Sequence, residues 1–426
     1  MELLKEEIKI EEITIKENNQ DVKLFYCQNN KFKTFYTRCV FLFDFDYTKK
    51  PVYMVLSYLL ERSTGKHPIE DEFQTYLCNL YSMAGNVGYG TKGLIDHFTF
   101  TAGTINTKYV TEDINLFDAS LDVLEELMTK PNFDEEIFEE IKLSLIQKIK
   151  LNQNNKVKVA YYDFFDTMFQ NEIYNKFYIR DIEVYNKITL DDVKKAYSDL
   201  MKMEHFYIYI GEDSLDTVIN GLKRFNFKKE IDSQHLYLDR ETKEIKEPTL
   251  VIKDYDVNQS NLFIGYRTPI LLNDDDYYAM FLFNQMFGSS YNCDLYNIVR
   301  EEHGLAYSIS SSYASMKGVV IVECGISKDN FDKTVNLINA ILQTYRDGDI
   351  SQEKLEIAKR ETITGVIKGI DSINNTVDTA MNFGARGYLK TTNELIEKVN
   401  LITVKDIKRV ANTLVLDTTY FMRGNK

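Results

Sequence analysis

Histidine and cysteine, the residues that most often bind metals or act as nucleophiles, are few and scattered in this chain of 426 residues. No two of the five histidines lie within helical reach of each other, and the five cysteines form no Cys-x-x-Cys pair. The spacing therefore argues against a two-histidine zinc site, and we expect the cysteines to be reduced structural thiols. The residues concerned are His67, His97, His205, His235, His303, Cys27, Cys39, Cys78, Cys293 and Cys324.

Three shorter motifs favour structural roles. His67 and Glu70 stand three residues apart, but the proline between them and the acidic run that follows indicate the start of a helix, which leaves His67 in a solvent-facing loop. The glycine-rich run Gly85–Gly90 is typical of a helix-to-strand turn, and Asn273–Asp276 of an acidic helix N-terminus. Neither a Gly-x-Gly-x-x-Gly pattern nor a P-loop is present, so nothing indicates a nucleotide site.

The charge balance restricts the class of partner. The chain has 51 Lys and Arg against 65 Asp and Glu, a net charge of −14, which argues against a nucleic-acid binder. It contains no apolar run of roughly 18 residues that would span a membrane. The acidic start Met1–Glu7 differs from a signal peptide, so we expect a cytoplasmic protein.

Two segments of the sequence, about half the chain length apart, are similar to each other. Ile188–Ala196 and Ile402–Val410 both have a threonine followed three residues later by an aspartate, which predicts a capped helix start. Each is followed by a short β-like run, His205–Gly211 and Thr419–Gly424. This pattern predicts a tandem repeat.

The predicted order of elements is the same in both halves: strand, helix, helix, strand, long helix. In the first half these are 37–44, 53–61, 72–84 ending at Gly85, 97–102 and 113–128. In the second half they are 261–266, 277–287, 295–302 ending at Gly304, 318–325 and 330–345. We therefore expect both glycines to be helix C-caps at equivalent places.

A charged segment without core-forming periodicity, residues 229–248, separates the halves and is the natural linker. The predicted domains are residues 1–228 and 249–426. Because strands and helices are interspersed without strict alternation, we expect an α+β fold of two homologous domains, each an antiparallel-rich sheet packed with helices.

One string carries a resemblance to a known family. From Leu295 to Ser308 the chain reads Leu-x-x-x-x-Arg-Glu-x-x-Gly-Leu-Ala-Tyr-Ser. This is similar to the second-half signature of the insulinase, pitrilysin and mitochondrial-processing-peptidase family of zinc peptidases. The resemblance implies that the two domains form half of a peptidase clamshell. It extends over essentially the whole chain.

The zinc motif of that family, His-x-x-Glu-His, is missing. In the matching helix, Tyr58 and Arg62 stand where the two histidines would be, and only Glu61 is kept. A guanidinium stays protonated and has no lone pair for a metal, so Arg62 alone disables the site. We therefore expect no catalytic or metal-binding residue and no cofactor in this chain, with zinc held by a partner subunit. A metalloenzyme with other ligands is a weak alternative, because no other cluster is visible.

The resemblance also assigns a role to Arg300 and Tyr307 as substrate-binding residues. In the family, an Arg and a Tyr at this spacing reach the substrate held at zinc. A phenol can donate a hydrogen bond to the carbonyl oxygen as negative charge develops, and a guanidinium can anchor a peptide through several donors. Without the resemblance, the residues favour an ordinary ion pair of Arg300 and a plain strand residue at Tyr307.

The function implied is that of a non-catalytic subunit of a heterodimeric peptidase. The expected partners are a zinc-motif-bearing subunit of the same family and a peptide or unfolded polypeptide, without nucleic acid or membrane. By itself such a chain is expected to be inactive as an enzyme, and a homodimer is a possible isolated state. The alternative is a structural or peptide-binding subunit that takes no part in proteolysis.

Overall fold

The computed structural model describes residues 8–233, 238, 243–386 and 391–425. The strands in these residues are β1 (Glu11–Glu17), β2 (Gln20–Gln28), β3 (Thr34–Asp44), β4 (Ala84–Lys92), β5 (Ile95–Ile105), β6 (Glu204–Gly211), β7 (Thr249–Tyr255), β8 (Ser260–Arg267), β9 (Ala306–Ala314), β10 (Val319–Ile326) and β11 (Val415–Gly424). The α-helices are α1 (Lys50–Arg62), α2 (Glu70–Asn79), α3 (Leu116–Thr129), α4 (Glu135–Asn154), α5 (Lys156–Met168), α6 (Glu183–Asn186), α7 (Leu190–Leu200), α8 (Leu215–Leu222), α9 (Tyr277–Asn284), α10 (Phe331–Asp347), α11 (Gln352–Gly369), α12 (Ile373–Arg386), α13 (Thr392–Leu401) and α14 (Val404–Ala411).

The strands form two sheets. The first has six strands in the order β1-β2-β6-β3-β5-β4, and the second has five in the order β7-β11-β8-β10-β9. All pairings are antiparallel except β2 with β6 and β7 with β11. Two antiparallel-rich sheets packed with helices confirm the predicted α+β class.

Both faces of the first sheet are buried, as β3 illustrates. Its side chains alternate between the faces, so Cys39, Phe41 and Phe43 pack in the core under α1 and α3. Val40 and Leu42 point to the opposite face, where they pack in a separate apolar cluster that contains part of α12. A strand buried on both sides reads as a nearly continuous apolar run, which is why the sequence identifies it well.

Two helices cross between the sheets. α5, formed before the second sheet, lies on that sheet, and its Phe164 stacks on Phe263 with ring centroids 5.6 Å apart. α12, formed after β10, lies on the first sheet, where its Val377 and Ala380 are fully buried. Each sheet therefore has its second face covered by a helix from the other part of the chain.

Two glycines permit the close approach of these helices. A Cβ atom at Gly265 of β8 would lie 2.4 Å from the Sδ of Met168 in α5, and one at Gly384 of α12 would lie 2.2 Å from Cζ of Phe206 in β6. Carbon atoms in contact normally stay near 3.5 Å or more apart. A side chain at either position would therefore require Met168 or Phe206 to move from its present place.

A buried group of charges, which we call the joint cluster (Glu172, Arg267, Lys317 and Asp417), lies where α5 meets the second sheet. The Arg267 guanidinium contacts Glu172 Oε1 at 2.6 Å and also donates to Asp417. Its Nη2 donates to the backbone oxygen of Met168 at 2.8 Å, and the Lys317 Nζ lies 2.7 Å from Glu172 Oε2. These charges tie the end of α5 to β8 and β11, because each is matched across the joint.

Both predicted capping boxes are confirmed. The backbone N–H of Thr189 donates to Asp192 at 2.9 Å, and that of Thr403 donates to Asp406 at 2.8 Å. In each pair the threonine hydroxyl accepts the return bond from the aspartate N–H, so two unpaired donors of the helix start are satisfied.

The prediction of a helix over 72–84 with Gly85 as its C-cap is wrong. α2 ends at Asn79, Tyr81 and Ser82 then take positive φ angles of 59° and 52°, and Gly85 lies inside β4. The glycine is needed there for packing, because a Cβ would lie 3.0 Å from Cδ1 of Leu77. The glycine-rich run is thus a strand rather than a turn. The other predicted elements are present, with shifted ends.

Several remaining features follow the sequence. All five cysteines are free, and Cys78 alone among them is exposed. Helix α9 begins directly after the acidic run, with Asp276 at its N-cap position. Within the described ranges, no helix is long and apolar enough to cross a membrane. Residues 234–237 and 239–242 of the predicted linker, which include His235, lie outside the described residues.

The joint cluster predicts acid sensitivity. Burial raises the pKa of Glu172, but the hydrogen bonds from Arg267 and Lys317 outweigh this, and the net pKa is below its ordinary value of 4.5. The stabilisation by the ionised Glu172 is thus complete at neutral pH and is lost as the pH falls through the lowered folded-state pKa. We expect Glu172→Gln to lower the free energy of unfolding by about 3 kcal/mol at pH 7, and by progressively less as the pH falls below 4.5. Urea denaturation at pH 7 and at a series of pH values below 4.5 measures the difference.

Asp21→Asn is the control, because Asp21 forms an exposed pair with Lys16, with 65% and 70% of the two side chains accessible. This variant should change stability by less than about 1 kcal/mol at each of these pH values. If the two variants have equal effects at pH 7, the joint cluster does not hold the sheets together.

Candidate functional site

The segment that carries the recognised string begins with two π-helical stretches, Gln285–Ser289 and Leu295–Glu302. The wider turn is visible in the bond from the N–H of His303 to the oxygen of Ile298, which spans five residues at 3.1 Å. π-Helical turns are rare and are frequently found at functional sites. Between the two stretches the chain exposes Tyr291, whose accessible fraction is 95%.

Gly304 ends the second stretch, as the sequence predicts. Its φ angle is +60°, in the left-handed region that favours glycine, and no atom lies within 4 Å of the place where a Cβ would be. The backbone then turns directly into β9, which is the edge strand of the second sheet. The positive φ angle, rather than steric crowding, explains why a glycine occupies position 304.

Tyr307 lies in a β-bulge of this edge strand. Gly325 of β10 pairs with Ser308, and the next residue, Ile326, pairs with Ala306, so Tyr307 is left without a partner residue on β10. A bulge of this kind redirects a side chain, and the Tyr307 side chain is 65% exposed. The bulge thus presents a phenol to solvent from a rigid strand.

Arg300 is on the second π-helical stretch, seven residues before the bulge. Its Cζ lies 4.8 Å from the ring centroid of Tyr296, and its Nε lies 3.6 Å from Oε1 of Glu301. The side chain is 40% exposed, so this pair is a weak surface contact. In the described part of the chain Arg300 and Tyr307 do not hydrogen-bond to each other, and both are accessible to a ligand.

The position matching the zinc motif in the first half is on α1. Tyr58, Glu61 and Arg62 line an open cavity of about 290 Å³ together with Glu70 and Asn86. Tyr58 is 41% exposed. Desolvation raises the pKa of Glu61, although its carboxylate accepts a hydrogen bond from the backbone. The cavity is present, but its donor set differs from that of a zinc site.

Arg62 places its positive charge beside two carboxylates. Its Nη1 lies 3.1 Å from a carboxylate oxygen of Glu70 and 3.1 Å from one of Glu140 on α4. The guanidinium therefore meets carboxylates that would otherwise attract a cation, and it offers no lone pair. The residues present do not fit zinc. Throughout the described ranges, no group of three or more His, Cys, Asp or Glu is placed to hold a metal.

Glu140 was not identifiable from the sequence. It lies 78 residues after Arg62, on a different helix, and it resembles the other carboxylates of a charged helical surface. Only the packing of α4 against α1 brings the two side chains together. A long-range pair of this kind leaves no periodic signal in a single sequence.

His67 lies in a loop, as predicted, but its side chain is only 26% exposed and does not face the solvent. Its Nδ1 lies 3.0 Å from Oε2 of Glu126, which is buried, and its ring stacks on Tyr76 with centroids 4.4 Å apart. Helix α2 begins at Glu70, so the residue precedes the helix as expected. His67 binds Glu126 because that carboxylate, removed from solvent, needs hydrogen-bond donors.

Comparison with known proteins agrees with this geometry. Residues 187–362 match the family model described as the Peptidase M16 inactive domain. Over 378 residues the chain is 27% identical to the probable inactive metalloprotease YmfF of Bacillus subtilis strain 168, with 87% of this chain and 88% of that protein covered.

Two solved structures share the fold. A conserved protein from Enterococcus faecalis V583 has a TM-score of 0.88 at 21% identity, with 97% of this chain and 99% of that chain covered. The periplasmic protease PqqL of Escherichia coli has a TM-score of 0.74 at 13% identity, and the match covers 100% of this chain and 47% of that chain.

The fold and the altered zinc position define a peptidase-like protein without the family's metal ligands. Residues 187–362 match the peptidase M16 inactive-domain model, and most of the chain is similar to a relative named as a probable inactive metalloprotease. The resemblance identified from the string around Arg300 and Tyr307 is thereby confirmed.

The place of Arg62 predicts that a zinc site can be reinstated. The double variant Tyr58→His with Arg62→His puts two imidazoles four residues apart on α1, beside Glu140. Two histidines and one carboxylate are a sufficient ligand set, so we expect about one zinc ion per chain. Isothermal titration with zinc and metal analysis after dialysis measure the result.

The matched control is Tyr58→His alone. This variant keeps the guanidinium and should bind no more zinc than the unmodified chain. If the double variant retains no zinc although its circular dichroism spectrum is unchanged, Glu140 and α1 are not arranged as a former metal site.

Proposed function

We propose that this chain is the non-catalytic subunit of a two-chain zinc peptidase, in which a partner of the same fold holds the metal. The chain closes the chamber around a peptide or unfolded segment and provides Arg300 and Tyr307 to the reacting bond. The observation that carries this proposal is the contrast between two positions. Arg62 is neutralised by carboxylates within the chain, whereas Tyr307 is displayed by a bulge with its phenol 65% exposed.

The size of the relatives supports a second subunit. The whole of this chain corresponds to 47% of the PqqL chain, so a single-chain protease of this fold is about twice as long. A partner of the same fold would supply the second half of such a chamber together with the metal ligands that this chain lacks. The partner's residues are then the catalytic ones.

The proposed roles follow from the chemistry of the two side chains. The Tyr307 phenol donates a hydrogen bond to the carbonyl oxygen as negative charge develops on it, which lowers the barrier in a site that excludes water. The Arg300 guanidinium, already placed over the Tyr296 ring, anchors backbone carbonyls of the peptide through its remaining N–H groups. Both groups act without a metal in this chain.

We further propose that residues 1–228 and 249–426 are homologous domains joined by residues 229–248. Each contains one sheet. In each sheet the strand that comes last in the sequence forms one parallel pair, β6 with β2 and β11 with β7. The two capping boxes precede these last strands. The shared arrangement supports a duplication.

The proposal predicts the effect of Tyr307→Phe on peptide cleavage. The chain is mixed with a zinc-motif-bearing relative, and hydrolysis of a fluorogenic peptide is followed under steady-state conditions. Loss of one donor to the developing oxyanion should reduce kcat by about 100-fold with little change in KM. Arg300→Ala should instead raise KM, because Arg300 contacts the bound peptide equally in the ground state and in the transition state.

Tyr291→Phe is the matched control, because Tyr291 is more exposed than Tyr307 and lies in the same segment. It should leave both constants unchanged. Cleavage that is equally fast with Tyr307→Phe would remove the assisting role. Failure of the two chains to cleave any peptide together would instead favour a structural or peptide-binding subunit.

A further inference from the structure

The outer face of β9 beyond the bulge is lined by small side chains. Ser308, Ser310 and Ser312 alternate along the strand and are exposed, whereas the intervening Ser311 is buried and donates to Asn284. The three exposed serines lie on the same face of the second sheet as α5, which covers that face nearer the centre of the sheet. This row borders the free edge of the sheet.

A carboxylate lies next to Ser310, on the neighbouring strand of the sheet. Glu323 of β10 pairs with Ser310 on one side and with Phe263 of β8 on the other, so the three side chains share one face of the sheet. Glu323 is accessible to solvent, unlike its neighbours on β10. Among the residues that the structure describes, no lysine or arginine is within ion-pairing distance of its carboxylate. The side chain is thus a free negative charge.

Aromatic rings form the wall beside this carboxylate. The Tyr161 ring lies 5.7 Å from that of Phe263 and 6.2 Å from that of Tyr178, centroid to centroid. Partial burial raises the pKa of Glu323, and the pKa of Tyr161 is raised mainly by burial and further by Tyr178 and the Glu323 charge. A carboxylate beside tyrosine faces is a favourable environment for a cation.

Two basic side chains that contact α5 are already paired. Lys253 Nζ lies 2.6 Å from Asp163, and Arg180 forms a two-point pair with Asp166. In the described ranges Glu323 therefore has no ion-pair partner on this face. A basic side chain of a ligand can therefore pair with Glu323.

The distances suit a peptide that lies along the free edge. An added strand pairs with the exposed backbone of β9, and strands are about 4.8 Å apart, so its backbone lies about 10 Å from that of Glu323. Lys and Arg have long flexible stems with the charge at the tip. Since Ser310 is small, such a side chain can pass over it to the carboxylate.

We propose that Glu323, the tyrosine wall and the small row of β9 form a subsite for a basic side chain of an extended peptide. This inference rests on the proposed function in one respect, that an extended peptide is the ligand. It assigns a substrate class, peptides with Lys or Arg near the bound segment, and makes Glu323 the residue that selects them.

The test uses two fluorescent 12-residue unstructured peptides, one with arginines and one with the uncharged isostere citrulline at the same positions. Binding to the full chain is measured by fluorescence anisotropy, and cleavage is measured in the mixture with the zinc-bearing relative. The unmodified chain should bind the arginine peptide roughly 5- to 10-fold more tightly. Glu323→Gln should remove this preference and leave the affinity for the citrulline peptide unchanged.

A second variant tests whether the peptide side chain reaches Glu323 across β9, and it leaves the charge of Glu323 unchanged. Ser310→Leu keeps Glu323 but obstructs the route over β9, and it too should remove the preference. Glu136→Gln, which removes an exposed carboxylate from the first turn of α4, is the control and should keep it.

The outcomes separate the two proposals. A preference that persists in Glu323→Gln, or one that is absent from the unmodified chain, overturns the subsite. Cleavage without a preference overturns the subsite alone and leaves the peptidase role intact. A preference in binding without cleavage by the mixture supports the subsite and removes the peptidase role.

Discussion

Each of the two sheets has two apolar faces, and the helices formed next to it in the chain cover only one of them. The other face is covered by a helix from the opposite part of the chain, α5 on the second sheet and α12 on the first. Gly265 and Gly384 bring these helices to within contact distance, and the joint cluster matches the buried charges at the end of α5. The sheets therefore cannot be separated without exposing two apolar faces, which fixes the orientation of the edge strand β9 relative to the first half.

This rigid frame gives the two candidate positions opposite electrostatic character. On α1, Arg62 meets Glu70 and Glu140, so the charges that would hold a metal are already satisfied within the chain. On β9 and β10, Tyr307 and Glu323 present a donor and an unmatched carboxylate to the outside. The charges on α1 are neutralised within the chain, whereas the groups on β9 and β10 are open to a ligand. Such a distribution suits a protein that assists chemistry performed elsewhere.

The sequence predicted what depends on local chemistry. The capping boxes at Thr189 and Thr403 and the positive φ of Gly304 follow from residues within one turn, and the structure has them as expected. Gly85 was misread because a glycine needed for packing against Leu77 looks the same as one needed for a turn. The Arg62 contact with Glu140, the exchange of α5 and α12, and the position of Glu323 behind Ser310 all depend on long-range packing or strand register. A single sequence does not encode such pairs in any periodic pattern.

The strand order also has a consequence for biosynthesis. β6 is inserted between β2 and β3, and β11 between β7 and β8, although each is made after every other strand of its sheet. Until residues 415–424 have left the ribosome, β7 and β8 stand apart with unpaired backbone, and α5 has only part of its binding surface. Incomplete chains thus present open strand edges and uncovered aromatic rings, which are the features that chaperones protect during synthesis.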